Sequence, residues 1–271
     1  MAIEHSERVE GELSKTAASQ LSCLGDLYQE SGQLERAEEA LLRCVKIRKA
    51  VFETPNPDIS EALRELADIY SEQKEFLKCE DYYRQTLESM PERPDDNYPD
   101  LLAVLQTLGV LCQLHGKYEE AERHYLRNLE ISLEEYPENL DLLAQGYEKL
   151  AGLMEVSHQD ARAVGFVEKR IAVLSKIPET SHEEMEGARL QLSRVLNEVG
   201  RLEESEAIVL QCLADKTARL GERHPDLSAT LNHLANIYRV TDRSLEAIET
   251  YQRSIDYQLD SDDPGDITIH A

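Results

Sequence analysis

One spacing constrains this chain more than any other feature. Moving back from Leu234 in steps of 42 residues gives Leu192, Leu150, Leu108, Leu66 and Leu24, and the residues that follow these leucines are Ala235, Ser193, Ala151, Gly109, Ala67 and Gly25. Six large-then-small pairs in phase mean six copies of one unit. A chain built of copies folds as a stack in which each unit packs mainly on its neighbours. Other registers keep the same interval, among them Tyr28, Tyr70, Cys112, Met154, Leu196 and Tyr238, then Ala37, Cys79, Ala121, Ala163, Ser205 and Ala247. Another, Val45, Leu87, Leu129, Ile171, Leu213 and Ile255, is aliphatic throughout.

The content of one unit is clearest between Leu220 and Ile255. Leu231, Leu234, Ala235 and Tyr238 form one helical stripe, Leu245, Ala247, Tyr251 and Ile255 form a second, and the polar break at 240–243 is short. This pattern predicts a helical hairpin whose small residues let the two backbones approach. The turn register reads Gly32, Lys74, Gly116, His158, Gly200 and Asp242. A residue with positive φ is expected there, at the end of each first helix. Eight of the nine prolines fall between the hairpins, which places the repeats at about 14–52, 58–91, 100–135, 142–176, 184–220 and 226–258. Residues 1–13 read as a leader and 259–271 as an acidic, disordered tail. The fourth hairpin has Ser157-His158-Gln159-Asp160 as its turn and is expected to be the least stable.

Leu24-Gly25-x-x-Tyr28, followed by Ala37 and Leu41, resembles the tetratricopeptide pattern, with eight residues added to its usual period. The longer unit, with Asn56-Pro57-Asp58 and Tyr98-Pro99-Asp100 in phase with His224-Pro225-Asp226, is similar to the repeats of kinesin light chains. The resemblance covers roughly residues 14–258. It implies an all-α, right-handed superhelical solenoid of six helix-turn-helix repeats, with first helices lining the concave side. It also implies a scaffold or adaptor that binds a protein or peptide partner.

Composition removes other classes. With 54 acidic against 29 basic residues the formal charge is -25, which repels phosphate backbones and anionic lipid, so neither nucleic acid nor membrane is an expected partner. The longest apolar run, Leu101 to Leu114, is too short to span a bilayer. No motif for a catalytic nucleophile, a phosphate cradle or a zinc site occurs, and the histidines are scattered, so no catalytic residue, metal or cofactor is expected. Glu119-Glu120 and Glu203-Glu204 read as solvated charge. Cys44, Cys79, Cys112 and Cys212 fall in core registers and Cys23 does not; an odd count without framework spacing, and no leader of signal type, predict a cytoplasmic protein.

The remaining question is the surface presented by the first helices. Positions flanking each large-small pair read Ser22, Asp26, Glu30, Arg64, Glu65, Asp68 and Glu72 in the first two repeats. They read Gln106, Val110, Gln113 and Leu114 in the third, and Arg194, Asn197, Asn232, His233, Asn236 and Arg239 in the last two. The sequence therefore predicts a peptide groove that runs from acidic through apolar to amide-rich and basic, with paired Asn side chains suited to a peptide backbone. A regulatory sensor closing on a small peptide, or a self-associating repeat protein, remains the alternative. Ile248, Tyr251 and Ile255 have no following repeat to cover them, which makes a homodimer through the C-terminal repeat a further expectation.

Overall fold

The computed structural model describes residues 15–91, 98–178 and 180–262, and among these all regular structure is helical. The six hairpins are α1 (Lys15–Glu30) with α2 (Leu34–Val51), α3 (Pro57–Glu72) with α4 (Phe76–Ser89), and α5 (Tyr98–Leu114) with α6 (Tyr118–Glu135). Then follow α7 (Leu140–Val156) with α8 (Asp160–Leu174), α9 (His182–Glu198) with α10 (Leu202–Leu220), and α11 (Leu227–Val240) with α12 (Ser244–Asp262). The fold is an all-α solenoid of helical repeats. The expected leader lies outside the described residues, as does the tail beyond Asp262; α12 runs four residues past the boundary expected at 258.

The chain divides into two units, 1–135 and 136–271, each holding three hairpins. Within the first unit α2 packs on α3 and α4 on α5; within the second α8 packs on α9 and α10 on α11. A single amphipathic hairpin cannot cover its second helix, and the next first helix in the unit does so.

The large-small pairs explain why the hairpins close. Leu66, Leu108, Leu150 and Leu234 are buried, with Ala67, Ala151 and Ala235 beside them. A Cβ on Gly25 would stand 2.7 Å from Leu41 Cγ, and one on Gly109 would lie inside the Tyr125 ring's van der Waals envelope. In the fifth hairpin both small positions are serine, and the buried hydroxyls of Ser193 and Ser205 are 2.7 Å apart in a hydrogen bond. Every turn position carries a positive φ: Gly32, Gly116 and Gly200 at 72, 72 and 78°, Lys74, His158 and Asp242 at 62, 57 and 58°. At the connectors Asn56, Asn139 and Ser181 accept hydrogen bonds from backbone N–H groups of α3, α7 and α9, which stops one hairpin and starts the next.

One expected core residue is not in the core. Leu245 is 78% exposed, although Ala247 two residues on is buried. Its register partners Glu35, Leu77, Glu119, Ala161 and Glu203 are exposed as well, so the apolar stripe of the second helix begins later than the sequence suggests.

Candidate functional site

In the first unit the residues at the expected positions are mostly acidic and, Ser22 apart, at least partly open to solvent. Asp26, Glu30 and Glu72 are exposed, while Arg64, Glu65 and Asp68 are half-buried. Ser22 departs from the expectation: it is buried, and its hydroxyl donates to Glu65 Oε2 at 2.7 Å, joining α1 to α3. Gln29 Nε2 likewise donates to the Glu72 carboxylate. Burial pushes the Glu65 carboxyl up against the Ser22 hydrogen bond, and the nearby charges of Asp26 and Glu61 push it the same way. Burial also raises the Asp68 carboxyl despite a hydrogen bond from the Tyr83 hydroxyl and the charge of Arg64, whose guanidinium stands 3.5 Å away. These carboxylates are partly stripped of water and are served mostly by neutral donors. On α5, Gln106, Val110 and Leu114 are exposed, so the two apolar side chains lie open to solvent.

The expected residues of the second unit are more occupied. Arg194 NH2 donates to Glu155 Oε2 at 2.6 Å, and Gln191 donates to the other oxygen of Glu155. Tyr251 donates its hydroxyl to Asn236 Oδ1 at 2.8 Å. Asn232 and Asn197 are half-buried, Arg239 is exposed, and the buried Asn197 Oδ1 has no hydrogen-bond partner. Burial lowers the His233 pKa, helped by the charge of Arg194.

A set of carboxylates missed by the sequence reading fastens one hairpin to the next. Each follows the small residue of a second helix. Glu38 accepts from the Tyr70 hydroxyl and Gln73 Nε2, Glu80 from Lys117, Arg84 and the His115 ring, and Glu206 from Arg243 NH1 at 2.8 Å. Burial alone would raise the Glu80 carboxyl, but hydrogen bonds from Lys117, Arg84 and His115 outweigh it and bring the pKa down to about 2. Arg84 also grips Glu120, so Glu120 is not the solvated charge the sequence implied. The signal was available in the 42-residue phase of Glu38, Glu80 and Glu206, although their partners lie 32 to 37 residues away. Among the described residues Glu80, Cys112 and Glu120 bring three metal-capable donors within 4.8 Å of one another. Arg84 and Lys117 already neutralise those carboxylates, which leaves little charge to attract a cation. The Cys44, Cys79, Cys112 and Cys212 thiols are buried, Cys23 is exposed, and burial pushes Cys44 and Cys79 up to about 11, away from nucleophilic chemistry.

Among the described residues no helix is long and apolar enough to cross a membrane. The family model for the tetratricopeptide repeat matches residues 15–92, 58–134 and 184–260. A kinesin light chain-related protein 1 of Arabidopsis thaliana is 22% identical over 251 residues, 89% of this chain. The chain spans 39% of that relative's length. Among solved structures, BtubC (BKLC) from P. vanneervenii is 21% identical with a TM-score of 0.58, over 84% of this chain and 92% of that one. YrrB, described as having an unusual peptide-binding site, is 19% identical with a TM-score of 0.50, over 82% of this chain and 94% of its own.

Proposed function

The chain belongs to the tetratricopeptide repeat family, and on that premise we propose that it is a non-enzymatic interaction scaffold holding a basic, extended segment of a partner protein against α1 and α3. Repeats of this family generally mediate protein-protein interaction. The observation that carries the finer reading is the state of the carboxylates on that face. Burial raises the Glu65 and Asp68 carboxyls, and the neighbouring charges of Asp26 and Glu61 on Glu65 and of Glu72 on Asp68 act in the same direction. A Lys or Arg side chain entering there relieves both the mutual repulsion and the lost hydration, so a cation is bound where a neutral residue is not. Val110 and Leu114 offer an exposed apolar contact on α5 of the same unit, and an apolar anchor commonly supplies most of the energy of such a complex. Charge then governs direction and encounter rate and weakens with salt.

A displayed peptide library tests this reading. Selected peptides should be rich in Lys and Arg, and Asp26→Lys with Glu30→Lys, both at exposed positions, should weaken their binding about tenfold or more. Selected sequences without a basic bias, or equal binding by this double variant, would reject it.

A separate observation favours self-association as a second reading. Ile248 and Ile255 are each 53% exposed, whereas Val164 and Val45 at the same registers are 5% and 7% exposed under the next hairpin. A second copy covering α12 would remove that apolar surface from water. Sedimentation that stays monomeric at high concentration, with Ile255→Lys having no effect, would exclude it.

A further inference from the structure

The register that builds the fold changes character at the open end of the fifth hairpin, where α9 begins and α10 ends. At the position of Arg189 the other hairpins carry Leu21, Leu63, Leu105, Tyr147 and Leu231, and all four leucines are buried. At the position of Glu186 they carry Ala18, Ser60, Leu102, Ala144 and Ser228, all buried. Asp215 stands where the first and fourth hairpins bury Ile47 and Val173. Met185 is half-buried where Ala17, Ile59, Leu101, Leu143 and Leu227 are sealed.

In place of the apolar seal there is a cavity of about 480 Å³ between α9 and α10. Lys216 Nζ donates to Glu186 Oε1 at 2.7 Å, and the buried Thr230 hydroxyl donates to the same oxygen at 3.1 Å. Arg189 NH1 donates to Asp215 Oδ2 at 2.9 Å, and the Arg189 side chain, which lines the cavity, also hydrogen-bonds the Cys212 thiol. Arg219 and His182 are exposed lining residues, and Cys212 is a buried one. Three cations, Arg189, Lys216 and Arg219, and two carboxylates, Glu186 and Asp215, line the opening, an excess of one positive charge in the lining of a chain of net charge -25. A half-buried ion pair holds a helix pair together less well than a leucine seal. Local rules of packing are characteristically broken where a ligand needs the space.

We propose that the open end of the fifth hairpin binds a small organic anion, a carboxylate or phosphate head group on a short apolar body. The head group is received by the guanidinium groups of Arg189 and Arg219, whose forked N–H donors match such oxyanions. The apolar body rests on Met185 and Ala218. A cavity of this size belongs to the range that encloses small metabolites. This ligand class and this hairpin are distinct from the basic peptide face of the first unit.

The test follows backbone amide shifts during titration with N-acetylleucine and with phenyl phosphate, using neutral N-acetylleucinamide as the control. The comparison variant is Arg189→Leu with Asp215→Ile, which removes both members of one ion pair and restores residues found at these registers in other hairpins. We expect saturable shifts in the amides of Arg189, Cys212 and Arg219 with at least one anion. The double variant should bind about tenfold more weakly or worse, equivalent to about 1.4 kcal/mol, while melting at the same or a higher temperature. Whichever anion binds more tightly identifies the head group. Equal binding of the neutral amide, no saturable shift with either anion, or undiminished binding by the double variant would overturn the proposal.

Discussion

The third and fifth hairpins follow the same plan and seal their open ends differently. In the third, Leu101, Leu102 and Leu105 are buried, and Asn128 Nδ2 donates to the Leu102 carbonyl at 2.7 Å. In the fifth the corresponding residues are Met185, Glu186 and Arg189, with Cys212 opposite, and a cavity takes the place of the packing. Their closed ends remain alike: Leu108 and Leu192 both lie in the core, and both turns carry a glycine with positive φ. A repeat can therefore keep its hairpin while giving up apolar packing at its open end, since Ala188, Leu192, Val195, Leu196 and Val209 remain buried. The freed end is then available for chemistry that a fully packed hairpin excludes.

The comparison breaks most visibly if the third hairpin is given the fifth hairpin's residue. Leu105→Arg places a charge without a partner in a fully buried site and should destabilise the first unit by about 3–5 kcal/mol in denaturant unfolding. A cost below about 1 kcal/mol would mean that the third hairpin tolerates an open end as readily as the fifth. At the closed end, Gly109→Ala drives a methyl group into Tyr125 and should cost about 1–3 kcal/mol. Ser193→Ala at the same register of the fifth hairpin removes one hydroxyl and should cost about 1 kcal/mol or less.

The carboxylate fastening the third hairpin gives the contrast a pH signature. Glu80 has a folded-state pKa of about 2, below its ordinary value, so its contribution is fully present above the ordinary carboxylate range and disappears as pH falls toward 2. Glu80→Gln should abolish that part of the acid dependence and cost about 1–3 kcal/mol at neutral pH. The same loss of stability between neutral pH and acid in the variant as in the parent chain would contradict the role given to this carboxylate. The turns carry an effect of similar small size. Gly116→Ala and Gly200→Ala each force a Cβ into the left-handed region and should each cost about 1 kcal/mol. Unequal costs would show that the difference between the two hairpins extends to their turns.

Much of this was legible in the sequence. The 42-residue phase located all six hairpins, the positive-φ turn register and the four buried cysteines, because a repeated core position leaves the same residue class at the same place each time. The break at Arg189 was written in that phase too, yet attention to the large-small pair passes over it, since Leu192 and Ser193 keep the pattern three residues later. The Leu245 misreading came from extending a helical stripe into the first turn of α12, where every repeat faces outward. The fastenings through Glu80 and Glu206 could not be paired from sequence, because a register names positions but not which cation reaches across from the next hairpin. The expected binding residues fared unevenly for the same reason: Asp26 and Glu30 stand open, while Arg194 and Asn236 are engaged by Glu155 and Tyr251.

Native-state hydrogen exchange, resolved by segment, tests the contrast between sealed and open hairpin ends most directly. Backbone amides in 185–192 and 212–219 should exchange faster than those in 101–108 and 128–135, and faster than those in 227–234 of the sixth hairpin, where Leu227 and Leu231 are buried. Protection in the fifth hairpin equal to or greater than that in the third and sixth would contradict it, since the cavity would then carry no cost to local stability.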